Sequence, residues 1–138
     1  EYRYPAGRFL LGIPAGLMDP EDRDCPEPAI ETAKREIREE TGLAAGENDR
    51  FFVLNPLLFS SPGMTDESNA LVCAVMNVPD LNGLTQDGTE GAECIKDFVT
   101  VTREEAGELL KRGTDSNGFF YSIYTWASLT VFVNGMYL

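Results

Sequence analysis

Apolar residues fall along the chain in short blocks separated by polar, Gly- and Pro-bearing stretches, and the spacing inside each block predicts its element. Residues 8–13 (RFLLGI) form a short apolar run stopped by Pro14-Ala15-Gly16, the pattern of a buried strand ended by a turn. A polar loop, LMDPEDRDCPE, leads to Pro28, a favourable first helical residue. From there Ile30, Ala33 and Ile37 recur at i, i+3 and i+7, which predicts a helix over 28–40 with one apolar stripe, stopped by Gly42. Residues 51–60 and 70–78 read as buried strands joined by the turn SSPGMTDES. After a Gly- and Asp-rich loop, 95–101 reads as another strand. Thr102 with Glu105 forms a capping box that opens a helix with Ala106, Leu109 and Leu110 inward and Gly113 at its end. The last block, 119–133, has β-branched and aromatic residues that suit a strand. Its Ile123, Trp126, Ala127 and Thr130 also fit a helical face, and helix is the reading taken. No internal repeat interrupts this order. Strands mixed with two or three helices indicate an α/β or α+β sandwich, with residues 1–138 read as one domain.

Composition supports a packed domain: of 138 residues, 43% are hydrophobic and 10% aromatic. Charge narrows the partners. With 11 Lys+Arg against 23 Asp+Glu the net charge is −12, which disfavours a broad basic surface gripping DNA or RNA, so no nucleic-acid partner is expected. Divalent cations would still let such a protein handle a phosphate ester. The chain has no histidine, which removes His-containing triads, imidazole bases and His-ligated zinc. Cys25, Cys73 and Cys94 lie far apart with no CxxC pair, so a reducing, cytoplasmic setting is expected and the thiols read as bystanders. The stretch 119–133 is too short and polar to span a bilayer, and no membrane partner is expected. The chain opens at Glu1 without a methionine, from which an N-terminal truncation is expected.

The segment Arg35-Glu36-Ile37-Arg38-Glu39-Glu40 carries the chemistry. On a helix Glu36 and Glu40 are i, i+4 neighbours and Glu39 is i+3 from Glu36, so three carboxylates crowd one flank of the apolar stripe. Partly desolvated there, they favour a divalent ion, and an all-oxygen set suits Mg²⁺ or Mn²⁺ over zinc. Such ions commonly serve phosphoryl chemistry. On spacing alone, a solvated charged face built from the Glu31–Arg35 and Arg35–Glu39 pairs stands as the alternative.

The wider pattern resembles the signature of the Nudix hydrolase family, Gly-x5-Glu-x7-Arg-Glu-U-x-Glu-Glu-x-Gly-U with U aliphatic. Glu27, seven intervening residues and then Arg35 through Leu43 match it without a gap. The leading glycine departs: ten residues separate Gly16 from Glu27, so DPEDRDC carries a five-residue insertion. Outside the box, the segments 2–5, 7–9, 14–16 and 61–68 resemble the ADP-ribose pyrophosphatase branch, with Pro62 in the place of that branch's proline beyond the box. The resemblance implies an α/β/α sandwich with a central mixed sheet, here without the N-terminal strands that family members use for dimer exchange and adenine stacking.

It further implies Mg²⁺, with Mn²⁺ as substitute, held by Glu36, Glu40 and the Ala15 carbonyl, and Glu39 as a ligand or a carboxylate supporting one. Glu27 and Arg35 would form a supporting ion pair. Glu90 or Glu93, the latter preferred, would be the general base on a loop before the last strand. Arg3, Arg8 and Met64 would contact substrate. The implied activity is Mg²⁺-dependent hydrolysis of the pyrophosphate in a nucleoside diphosphate sugar, foremost ADP-ribose to AMP and ribose 5-phosphate, by a homodimer. Hydrolysis of nucleoside triphosphates or dinucleotide polyphosphates by the same box, and metabolite sensing without catalysis, are the alternatives.

Overall fold

The computed structural model describes residues 1–86 and 94–138. In chain order the elements are β1 (Tyr2–Arg3), β2 (Arg8–Phe9), α1 (Pro20–Arg23), α2 (Pro28–Thr41), β3 (Arg50–Phe59), β4 (Ser68–Val75), α3 (Arg103–Arg112) and α4 (Ile123–Val133). Short 3₁₀ turns lie at Tyr4–Ala6 and Leu81–Gly83. Helices and antiparallel strands together make this a mixed α/β protein, the class the hydrophobic pattern predicts. Among the described residues the strands pair as two two-stranded antiparallel ladders, β1 with β2 and β3 with β4. A parallel pairing occurs as the isolated bridge Leu11↔Tyr121, outside both ladders. Two compact units result, Glu1–Ile13 with Gly91–Leu138, and Pro14–Glu90.

In the unit Pro14–Glu90, α2 starts at Pro28 and ends at Thr41, directly before the left-handed Gly42 (φ 76°), whose N–H donates to the Arg38 carbonyl. A Cβ at Gly42 would lie 2.6 Å from Thr85 Cγ2, so this stop needs glycine for both its conformation and its space. The β3–β4 ladder runs from Arg50↔Val75 to Phe59↔Ser68, with its register broken on either side of Asn55. Pro56 explains the break locally, since it cannot donate to a ladder, and the Asn55 side chain accepts from the Leu57 N–H at 2.9 Å instead. The loop before α2, expected to be wholly irregular, holds the one-turn helix α1. Asp19 and Asp22 cap it reciprocally, with Pro20 at the first helical position.

The other unit is organised around α3 and α4. The expected capping box forms: Glu105 donates its N–H to the Thr102 hydroxyl, and the Glu105 carboxylate accepts from Thr102 N at 2.7 Å. Ala106, Leu109 and Leu129 are its buried centre, with Leu11, Tyr121 and Phe132 among the residues packed around them. Tyr121 Oη donates to the Leu109 carbonyl at 2.8 Å, and the buried Thr125 hydroxyl to the Leu11 carbonyl at 3.1 Å. Two expected strands are corrected. The run 8–13 is a strand only at Arg8–Phe9, and 95–101 forms none. In the latter, Asp97 Oδ1 accepts the N–H of Phe98 at 2.8 Å, a local bond that competes with a ladder. Among the described residues no helix is long and apolar enough to cross a membrane.

Candidate functional site

Three of the four buried residues of α2 are polar. Thr32, Glu36 and Glu40, each four residues from the next, are 8%, 8% and 7% exposed, whereas of the expected apolar stripe Ile30 is buried and Ala33 and Ile37 are only half-buried. The helix is thus rotated so that carboxylates, placed by the periodicity at the edge of the covered face, lie within it. Burying ionised carboxylates costs several kcal/mol each unless neighbours compensate, and the segment ahead of α1 supplies part of that compensation. Ala15 N–H donates to Glu40 Oε2 at 3.2 Å. Gly16 lies directly against Glu36: a Cβ there would come within 1.8 Å of Glu36 Oε1. Only a glycine lets the backbone approach this closely.

Arg35 is the hub beside them. Its Nη1 donates to Glu36 Oε1 at 2.7 Å and to Glu39 Oε2 at 3.2 Å; its Nη2 donates to Asp22 Oδ2 at 2.9 Å and to the Leu17 carbonyl at 2.7 Å. Arg35 Nε is buried without a hydrogen bond and faces Asp19 Oδ2 at 3.3 Å. Four carboxylates surround one guanidinium, so the neighbourhood keeps a negative excess. The guanidinium is pinned in its charged form: burial disfavours the charge, but the bonds to Asp22 and Glu36 outweigh it and raise the pKa.

The expected Glu27–Arg35 pair does not form. Glu27 is exposed at the start of α2, and no cap bond reaches its side chain. Asp22 takes that place. It is 8% exposed and accepts from Arg35, from the Thr32 hydroxyl at 3.0 Å and from the Asp19 N–H at 3.1 Å. Burial pushes its carboxyl up, but the Arg35, Asp19 and Thr32 bonds together hold it below its ordinary value. Asp19, Asp22, Thr32 and the close approach of Gly16 were not singled out from the sequence. The signal for the first two was present in Asp-Pro-x-Asp, a helix start inside the apparent insertion.

The expected ligands are brought together in part. Glu36 and Glu40 share the buried row, Ala15 reaches Glu40 through its N–H, and Glu39 turns to Arg35. Among the described residues no three Asp, Glu or Cys side chains form a ready metal cage. The donor set nevertheless fits Mg²⁺, which is ordinarily bound by one or two carboxylates and completes its shell from water and substrate phosphate. Glu90 and Glu93, the candidate bases, lie outside the described residues. Cys73 has its thiol pushed up by burial, against a nucleophilic role.

Comparison with known proteins decides the family. Over 118 residues, 82% of this chain, it is 32% identical to an uncharacterized Nudix hydrolase of Schizosaccharomyces pombe, of which the match covers 53%. Over 99 residues, 69% of this chain, it is 35% identical to a Caenorhabditis elegans protein named "Putative nudix hydrolase 2", covering 41% of that protein. The chain belongs to the Nudix hydrolase family. A shorter match, 41% identical over 68 residues, links 49% of this Nudix chain to 29% of the ADP-ribose pyrophosphatase of Mycobacterium tuberculosis. The chain thus spans about half the length, or less, of the curated relatives it matches. No family model matches it, and no solved structure does.

The remaining Nudix residues expected to touch substrate are placed as follows. Arg3 pairs with Glu1 at 2.9 Å, and Arg8 lies 6.0 Å over the Phe120 ring. Arg8 also lines an open cavity of about 280 Å³ with Gly7, Phe9, Gly118, Phe119 and Phe120. Met64, 91% exposed, sits in the turn between β3 and β4.

Proposed function

We propose that this chain carries the catalytic helix of a divalent-metal-dependent hydrolase that cleaves the pyrophosphate of a nucleoside diphosphate sugar, ADP-ribose first among them. The observation that carries the reading is the buried pair Glu36 and Glu40, one turn apart on α2 and within the box spacing of the family. Carboxylates are kept inside a fold at such cost chiefly where a cation or a reaction requires them. The named ADP-ribose pyrophosphatase among the relatives supports the choice of substrate.

Glu36 and Glu40 would hold Mg²⁺, with Mn²⁺ as substitute. Bound there, the ion would supply Lewis acidity and offset the charge of the pyrophosphate. The protein's own part is positional and acid–base. Arg35 fixes Glu36 from one side while Gly16 closes on it from another, and Ala15 N–H holds Glu40. Glu93 or Glu90 would take a proton from the attacking water as its oxygen forms a bond to one phosphorus. The bridging P–O bond breaks, and ADP-ribose plus one water becomes AMP and ribose 5-phosphate.

The test is turnover of a nucleotide-sugar panel by the whole protein with Mg²⁺, products identified by mass. Glu36→Gln and Glu40→Gln should each lower kcat about 100-fold or more while the fold is kept. Normal turnover by either variant would remove that carboxylate from the site. Release of product only from nucleoside triphosphates or dinucleotide polyphosphates would move the substrate class. Tight binding of ADP-ribose without product over hours would make the chain a sensor.

A further inference from the structure

We infer that Asp22, delivered by the apparent insertion between Gly16 and Glu27, is the residue that positions Arg35 and through it Glu36, the role the box pattern gives to Glu27. This rests on the metal-dependent reading above and deepens it. The five extra residues are not a passive bulge. They build α1, whose reciprocal Asp19–Asp22 cap sets the turn, and the turn brings both carboxylates onto the guanidinium.

Three observations separate Asp22 from a solvated loop acid. It is buried; it is fixed from α2 itself by the Thr32 hydroxyl, whose single proton it shares with the Pro28 carbonyl, each at 3.0 Å; and it shares Nη2 of Arg35 with the Leu17 carbonyl. Arg35 therefore has one nitrogen anchored on the insertion and the opposite one on Glu36 and Glu39. A planar guanidinium held at both ends has a fixed orientation, and so does the carboxylate it grips. Glu27 contributes neither burial nor an ion pair to this arrangement. Groups that orient a metal ligand in this way typically change metal affinity or activity 10–100-fold when removed.

The experiment compares Asp22→Asn, Thr32→Val, Thr32→Ser and Glu27→Gln in the whole protein. The readouts are Mn²⁺ affinity from the EPR signal of the free ion, kcat and KM for ADP-ribose, and the unfolding midpoint. Asp22→Asn should weaken Mn²⁺ about tenfold and lower kcat with KM held. Thr32→Val should do the same more weakly, Thr32→Ser should match the parent, and Glu27→Gln should change Mn²⁺ affinity less than about twofold. If Asp22→Asn does not fold, Thr32→Val decides by the same readout. Parental Mn²⁺ affinity in Asp22→Asn, or in Thr32→Val where that variant decides, overturns the inference. So does a loss in Glu27→Gln as large as that in Asp22→Asn. A parent protein that neither binds Mn²⁺ nor turns over ADP-ribose overturns the functional reading instead, so the two failures are distinguishable.

Discussion

Helices α2 and α3 are built with similar devices and used for opposite ends. Each is amphipathic and closes on a left-handed glycine, Gly42 at φ 76° and Gly113 at φ 78°. Yet α3 buries Ala106 and Leu109, at 0% and 4% exposure, whereas α2 buries Thr32, Glu36 and Glu40 beside a single apolar residue, Ile30. Apolar burial of the first kind stabilises by roughly 25 cal/mol per Å² removed from water. Carboxylate burial of the second kind opposes folding and persists only where hydrogen bonds and a guanidinium offset it. The first helix to lose stability on truncation should therefore be α3, and the first to lose function α2.

The sharpest way to break that contrast is to cut both helices. Leu109→Ala should cost about 2–5 kcal/mol of unfolding free energy while leaving kcat near the parent value at temperatures where the variant is folded. Glu40→Gln should leave stability unchanged or slightly higher, because a buried charge is removed and the amide oxygen still accepts from Ala15 N–H. Urea titrations of the two variants check this. A Glu40→Gln variant as unstable as Leu109→Ala would make Glu40 part of the structural core and erase the difference between the helices.

What could be read beforehand was what is local. The start of α2 at Pro28, its stop at Gly42 and the Thr102–Glu105 box depend on residues within one turn of one another, and each forms as the pattern predicts. Long-range choices were not legible. A period of about 100° places Glu36 and Glu40 beside the stripe of Ile30, Ala33 and Ile37, but not how far the helix turns when neighbours press on it. Asp22 reaches Arg35 across 13 residues, whereas the box spacing pointed to Glu27 as its partner. The strand expected at 95–101 failed for a related reason: apolar alternation describes a surface that fits a ladder, and ladder partners are supplied by the fold.

The second contrast lies in the glycines. Gly113 has open space around it, so alanine there should cost only the backbone term of about 1 kcal/mol. Gly16 faces the Glu36 carboxylate, which is buried and held by Arg35 Nη1. Gly16→Ala should therefore push Glu36 off that bond, costing some stability and lowering kcat about tenfold or more. Turnover at parental rate in Gly16→Ala would show that the close approach has no bearing on the chemistry.

The smallest effect is an acid limb shared unequally by the two regions. Asp22 is held below its ordinary value of 3.8 by bonds from Arg35, Asp19 and Thr32 that outweigh burial. Glu105 is held below 4.5 by its cap bonds to Thr102. In both cases the unfolded chain takes up a proton before the folded one. The stabilisation is thus complete above the ordinary value and is lost as pH falls through the lower folded value. Asp22→Asn and Glu105→Gln should each flatten the loss of stability between roughly pH 5 and pH 2. Salt separates them. The Glu105 contribution rests on hydrogen bonds to Thr102 with no charged partner and should respond little to ionic strength, while that of Asp22, which includes the Arg35 charge, should be the one that salt weakens. Urea unfolding across that range at low and high salt measures both. An acid slope unaltered by Asp22→Asn would mean that the Asp22 carboxylate is already free to protonate in the folded chain, leaving the hub around Arg35 looser than its distances imply.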